Sequence, residues 1–276
     1  MKGPLRATLL SAFGLAAVGY GSITAILLWL QGRLIYPLDR IRNIAPNPDA
    51  DRLEPVNIET SDGLTLTIRH QSPPATDGTT VVLFHGNGED LSQRVHIAHA
   101  LIEAGYGVLL AEYRGYGGNP GKPHEAGLYA DGRAAIEFAY RHTSHVVLHG
   151  YSLGSGVAVQ LATEFPIDAL ILEAPFTSMV DVAQTRFPYV PVRWLLRDRY
   201  DSLSKIGRVN APVLIYGGLA DGLIPPRQFE ALHAAARGPR QLALIPDANH
   251  LDVWEKGGAD HVLSFLQALH DDTKAA

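Results

Sequence analysis

A series of short runs of β-branched and aliphatic residues, alternating with segments of helical spacing, constrains this chain more than any other feature. The runs are TVVLF (80–84), GVLLAEY (107–113), VVLH (146–149), ALIL (169–172), VLIY (213–216) and QLALI (241–245). Between and after them, Leu91–Ala104, Glu125–Arg141, Leu153–Glu164, Pro226–Ala236 and Val253–His270 read as helices. Runs that are apolar on both faces and separated by helices predict an α/β fold, a mostly parallel sheet covered on both sides. Ahead of them, Val56–Thr60 and Leu64–His70 flank Asp62-Gly63, the signature of a hairpin. That hairpin adds an antiparallel edge.

One interval breaks the rhythm. Between Pro175 and Pro212 the chain carries Phe187, Tyr189, Trp194 and Leu195, too apolar for a free loop. It reads as a small helical cap, about 176–211, above the carboxyl edge of the sheet. The amino terminus is different again. Ala7–Leu30 contains no charged residue, and roughly 20 apolar residues suffice to span a bilayer. Residues 1–33 are therefore expected to form a single-pass transmembrane anchor, with Trp29 and Tyr36 suited to an interface. The rival, a cleaved signal peptide, usually has a shorter apolar region. Lys2 and Arg6 on one side balance Arg33, Arg40 and Arg42 on the other, so the positive-inside count assigns no orientation. Residues 34–53, with NIAPNPDAD, read as a linker without helical or strand period, and 54–276 as the globular domain. On this reading the anchor and linker supply no candidate catalytic group, and a chain beginning near Leu53 would still hydrolyse short esters.

Composition removes several alternatives. The net charge of -5 over 276 residues gives no basic footprint, so nucleic acid is not an expected partner. There is no cysteine, so thiolate nucleophiles and disulfides are out.

The chemistry-bearing motif is Gly150-Tyr151-Ser152-Leu153-Gly154. It fits the G-x-S-x-G nucleophile elbow, and it lies between a strand and a helix as that turn requires. Ser152 is the candidate nucleophile. His85-Gly86-Asn87-Gly88 follows the strand TVVLF. In this arrangement the backbone N–H of Asn87 and that of Leu153, the residue after the nucleophile, are the oxyanion donors. His85 itself reads as a structural brace. The base is expected late in the chain. His250 follows QLALI, whereas His261 and His270 lie inside the last helix. The acid is Asp221, in the glycine-rich loop GGLADG after VLIY, with Glu173 as the alternative; the bland reading of Glu173 is a buried carboxylate satisfied by an arginine or by backbone N–H groups. His96 and His99 stand three apart but lack a local carboxylate, and read as surface residues rather than metal ligands. Arg114 reads as a tie between loops. Phe187 and Trp194 are the candidate substrate-binding residues of the cap.

Together these motifs resemble the membrane-anchored branch of the α/β-hydrolase superfamily, the ABHD-type proteins. The likeness runs from QGRLIYP through HGNG, YRGYGGNPGKPHEAGLYAD, GYSLGSG, LEAPFTS, LLRDRYDSL and PVLIYGGLADGLIPP to IPDANH. By motif position the family's nucleophile, acid and base fall on Ser152, Asp221 and His250, and its oxyanion loop on Asn87. Glu112 stands where Asp is usual, and Tyr216 where His often stands. The resemblance implies an α/β-hydrolase fold and acyl transfer to water with no metal or organic cofactor. The substrate would be a small or lipid-like acyl compound, an ester or thioester close to a membrane. A peptidase uses the same triad on amides, and a non-catalytic membrane scaffold with this fold would need none of it.

Overall fold

The computed structural model describes residues 3–41, 47–75 and 77–275. Residues 42–46 of the expected linker, and Met1 and Lys2 of the expected anchor, lie outside the described residues. The chain forms one eight-stranded sheet in the order β1-β2-β4-β3-β5-β6-β7-β8. The strands are β1 (Glu54–Glu59), β2 (Thr65–Gln71), β3 (Thr79–Phe84), β4 (Gly107–Ala111), β5 (His145–Tyr151), β6 (Ala169–Glu173), β7 (Val213–Gly218) and β8 (Arg240–Ile245). β1 and β2 pair antiparallel as the hairpin, β2 pairs antiparallel with β4, and every pairing from β4 to β8 is parallel.

The period of two along each parallel strand sorts its side chains into two cores. Val82, Phe84, Leu148, Leu170, Leu172 and Ile215 face one of them, with helices α4 (Glu125–Tyr140), α5 (Leu153–Ala162) and α9 (Pro226–Ala235). Val81, Leu83, Val147, Ile171 and Leu214 face the other, with α3 (Val95–Glu103) and α10 (Ala259–Ala275). That division is why the strands read as continuous apolar runs. Helix α3 stops where the sequence provides Gly105. At φ +91 it takes the left-handed conformation, and Tyr106 N–H and Gly105 N–H donate to Leu101 O (3.0 Å) and Ile102 O (2.9 Å), a Schellman ending. The chain then enters β4.

The cap consists of α6 (Met179–Arg186), α7 (Val192–Leu195) and α8 (Leu203–Ile206). Ser178 caps α6 by accepting from Asp181 N–H.

The amino-terminal region departs from the expected tether. Helix α1 runs from Gly3 to Ile35. Its stretch Thr8–Ile35 is long and apolar enough to cross a membrane, and Leu9, Phe13, Val18, Ile23, Ile26 and Trp29 are each more than half exposed. Its end, however, belongs to the globular core. Ile35 and Tyr36 are buried among residues of the first core. Tyr36 Oη donates to Asp198 Oδ2 (2.9 Å) and shares a hydrogen bond with Tyr200 Oη (2.7 Å). Leu38–Ile41 forms a short helix, α2, and Pro48–Arg52 a 3₁₀ turn capped by Asn47. The sequence shows no period there because each of these pieces is a single turn, held by contacts made far along the chain.

Candidate active site

The site is built at the carboxyl ends of the parallel strands. β5 ends in Gly150-Tyr151 and α5 begins at Leu153, so Ser152 must turn the chain within one residue. It does so at φ 48, ψ -114, a left-handed conformation that side chains rarely adopt. The two glycines make room for the turn. A Cβ at Gly150 would sit 2.5 Å from Gly154 O, and one at Gly154 only 2.1 Å from Phe84 O. Ser152 N–H donates to Glu173 O (2.9 Å), and both Ser155 N–H (2.9 Å) and Ser155 Oγ (2.6 Å) donate to Ser152 O. The strained turn is thereby tied to β6 and to the first turn of α5.

His250 comes from the loop between β8 and α10. Its Nε2 lies 3.0 Å from Ser152 Oγ, and its Nδ1 lies 2.7 Å from Asp221 Oδ2. Asp221, buried in the loop after β7, uses its other oxygen to accept from Leu223 N–H and Ile224 N–H, both at 2.8 Å. The carboxylate is thus fixed before it meets the imidazole. The His250 loop is set by Asn249 N–H donating to Asp252 Oδ1 (2.7 Å) and Leu251 N–H donating to Asn249 Oδ1 (2.8 Å). Tyr151 Oη donates to His250 O (3.0 Å). Ser152, His250 and Asp221 are therefore brought together from three loops in one hydrogen-bonded line.

Asn87 and Leu153 line the cavity beside Ser152. Leu153 opens α5, and the amino end of a helix carries N–H groups without intrahelical acceptors and a partial positive charge. The Asn87 loop is braced on several sides. Asn87 Nδ2 donates to Ile35 O (3.0 Å), and Tyr116 Oη donates to Asn87 O (3.2 Å). His85 reaches Gly86 O with Nδ1 and Glu112 Oε1 with Nε2, each at 2.7 Å. Burial works against a charge on His85, but the Glu112 carboxylate overcomes it and raises the imidazole above its ordinary value. An imidazolium donates at both nitrogens and satisfies both acceptors. His85 is the brace expected, and Glu112 is the group it braces against.

Glu173 lies apart from His250. Its carboxylate accepts from Arg94 Nη1 (3.3 Å) and from Tyr216 Oη (2.9 Å), with His149 Nε2 at 3.4 Å. Burial would raise Glu173, yet Arg94, His149 and Tyr216 hold it down at about 2. Arg94 does more than neutralise it. Its Nε donates to Glu89 Oε1 (2.8 Å), the oxygen that also accepts from Gly86 N–H (2.7 Å), and its guanidinium carbon lies 3.6 Å from the centre of the Tyr151 ring. Arg114 ties its own loop to the hairpin turn through Asp62 (2.6 Å), as expected, and also to α4 through Asp131 (2.7 Å). His96 is exposed and pairs with Glu255, and among the described residues no cluster of His, Asp and Glu could hold a metal ion.

The cavity above Ser152 measures about 460 Å³. Phe187 lines it with Val182, Val190 and Leu195 of the cap. Trp194 does not. It is 85% exposed and absent from the lining. Helix α7 is one turn long, and Val192 and Leu195, with Leu196 just after it, line the cavity, so Trp194 falls on the outward face. The sequence reading also misses one wall. Thr24, Leu27, Leu28, Gln31 and Ile35 of α1 line the cavity. The only sequence trace of this role is the placing of Thr24 and Gln31 at helical spacing in an otherwise apolar run.

This sheet order, with a strained G-x-S-x-G turn after β5 and a late histidine against it, is that of an α/β hydrolase. Relatives agree. A family described as serine aminopeptidase, S33, matches residues 76–205. An uncharacterized protein of Mycobacterium tuberculosis is 41% identical over 249 residues, covering 86% of this chain and 86% of its own length. The α/β hydrolase domain-containing protein WAV2 of Arabidopsis thaliana is 28% identical over 91% of this chain and 92% of its own. Protein bem46 of Schizosaccharomyces pombe is 29% identical, with 98% of each covered. Among solved structures, a Pyrococcus furiosus esterase superposes with a TM-score of 0.66 at 18% identity, over 83% of this chain and 94% of that one. The chain belongs to the α/β-hydrolase-domain (ABHD-type) family.

Proposed function

We propose that the protein is a membrane-anchored serine hydrolase that transfers the acyl group of an ester or thioester to water. The observation carrying this reading is the Asp221–His250–Ser152 line, 2.7 and 3.0 Å at its two links, ending on a serine held in a strained turn. Asp221 accepts from Nδ1–H of His250 and so keeps Nε2 unprotonated toward Ser152. Ser152 Oγ attacks the carbonyl carbon while its proton passes to Nε2. The N–H groups of Asn87 and Leu153 receive the oxyanion. Collapse expels the alkoxide or thiolate, which takes the proton from Nε2 and leaves the acyl-Ser152 ester. Water then attacks that ester, gives its proton to Nε2, and the returning proton restores the Ser152 hydroxyl as the carboxylic acid departs.

The aminopeptidase reading suggested by the family description fits the cavity less well. An aminopeptidase must receive a substrate ammonium, and among the described residues the charged side chain in the lining is Arg186, a cation. α1 supplies the anchor, being long, apolar and exposed along most of Thr8–Leu30. The test is labelling with a fluorophosphonate probe together with p-nitrophenyl ester and aminoacyl p-nitroanilide assays. Wild type labels and cleaves the ester, and Ser152→Ala does neither while keeping its melting temperature. Equal labelling of Ser152→Ala refutes the assignment.

A further inference from the structure

Between Ile23 and Gln31, α1 turns one face to the cavity and another outward. Thr24, Leu27, Leu28 and Gln31 are half-buried and line the cavity, while the interleaved Ile23, Ile26 and Trp29 are 60%, 55% and 76% exposed. Across the cavity stand Val182, Phe187, Val190 and Leu195 of the cap. Polar contacts seal the seam between them. Tyr20 Oη donates to Tyr189 O (2.7 Å), Arg197 N–H donates to Gln31 Oε1 (3.0 Å), and Tyr36 Oη donates to Asp198.

The position of that face along α1 matters. Thr8–Ile35 contains 28 residues, whereas roughly 20 cross the hydrocarbon. About eight residues, or about 12 Å of helix, are therefore in excess. Counted from Thr8, the far boundary of the hydrocarbon falls near Leu27 and Leu28. The lining stripe starts within the leaflet at Thr24 and ends outside it at Ile35. The Tyr20–Tyr189 hydrogen bond carries the cap about 10 Å deeper than Leu27, at 1.5 Å per residue. Tyr189 and Trp194 are the most exposed large apolar side chains of the cap.

We infer that the cavity is an acyl channel with α1 as one wall, opening sideways into the leaflet, and that its substrate is a long-chain acyl lipid drawn from the membrane without passing through water. This rests on the serine hydrolase reading above. The lining from Thr24 to Ile35 covers about 16 Å of helix. At about 1.25 Å per carbon of an extended chain, that length accepts about a dozen carbons. Among the described residues its lining carries one charge, on Arg186, and is otherwise mostly apolar, which suits a hydrocarbon occupant. Sideways entry also removes a barrier, since each methylene pulled from bilayer into water weakens partition about fourfold.

The experiment uses the full chain reconstituted in lipid nanodiscs, with a dodecanoyl ester lipid bearing a fluorogenic head group as substrate and p-nitrophenyl acetate as the short comparison. Leu27→Trp and Leu28→Trp should lower the dodecanoyl-to-acetate ratio of kcat/KM at least tenfold. Ile26→Trp, on the outward face of the same helix, should leave the ratio unchanged. Substrate placed in separate nanodiscs should be cleaved at least tenfold more slowly than substrate sharing the enzyme's disc. Fluorophosphonate labelling of Ser152 accompanies each variant. Labelled enzymes whose ratio is unmoved by Leu27→Trp and Leu28→Trp, or equally moved by Ile26→Trp, overturn the channel and leave the hydrolase standing. A wild type that does not label brings down the hydrolase reading and the channel with it.

Discussion

Cutting the chain before Leu53 should cost far more than an anchor. Consider two soluble truncations, one beginning at Gln31 and one at Leu53. They differ by a segment that buries Ile35 and Tyr36 to 6% and 4% exposure. Those two side chains contribute about 2 kcal/mol each in apolar transfer. Three hydrogen bonds go with them: Tyr36 to Asp198, Tyr36 to Tyr200, and Asn87 to the Ile35 carbonyl. Each is worth about 1 kcal/mol. Some of this is recovered when water reaches the vacated surface, and burial referred to an extended chain is an upper bound. A net loss of about 5 kcal/mol remains. At roughly 2–4 °C per kcal/mol for a domain of this size, the shorter chain should melt about 10–20 °C lower. It should also lose turnover of p-nitrophenyl acetate beyond what its stability explains, because Asn87 no longer has its tether. Calorimetry and initial rates at a temperature where both chains are folded provide the measurement. Melting points within about 3 °C and equal kcat would refute the reasoning, and with it the claim that Ile35 and Tyr36 belong to the folded domain.

Further outcomes follow from the same geometry. Asp221→Asn should lower kcat by about four orders of magnitude with little change in stability, since the amide stabilises the wrong tautomer of His250. Glu173→Gln should instead destabilise by about 3 kcal/mol in urea unfolding, because Arg94 loses a buried counter-charge. That cost should depend on pH. Glu173 is held at about 2, below its ordinary value of 4.5, so its contribution is complete above about pH 4.5 and is lost as pH falls toward about 2. The gap between wild type and Glu173→Gln should therefore narrow between about pH 5 and pH 3, and a constant gap would refute the charge argument. Phe187→Ala should lower kcat/KM more for long acyl chains than for acetate, whereas Trp194→Ala should leave the chain-length profile as in wild type; an ester panel separates them.

Which parts of this molecule could be read from its residues follows from how local each one is. The parallel strands were legible because both of their faces are apolar over several consecutive positions, and the hairpin because Asp62-Gly63 sets its own turn. Ser152 was legible because the close contacts of Gly150 and Gly154 leave a glycine signature within five residues. The roles of Asn47, Leu38 and Tyr36 were not, since single turns have no period and their partners, Ser92 and Asp198 among them, lie far along the chain. Trp194 misled because a one-turn helix cannot be phased from its sequence, and bulk alone does not say which way a side chain faces. The wall formed by α1 stayed hidden for a related reason. A helix apolar all round has no amphipathic phase, so the stripe from Thr24 to Ile35 becomes visible only when the cap is laid against it.

The guanidinium of Arg94 has a consequence for how such a sequence can vary over time. It touches Glu89, Glu173 and the ring of Tyr151 at once, and through Glu89 it reaches the backbone of the Gly86–Asn87 loop. Replacing any one of the four leaves a buried charge short of a partner or a ring without its support, so single changes are penalised even though none of the four supplies a reacting atom. These positions should then be inherited as a block. A descendant that abandons Arg94 would need compensating neutral residues at 89 and 173 in the same lineage, and the two acidic positions should be lost together rather than one at a time.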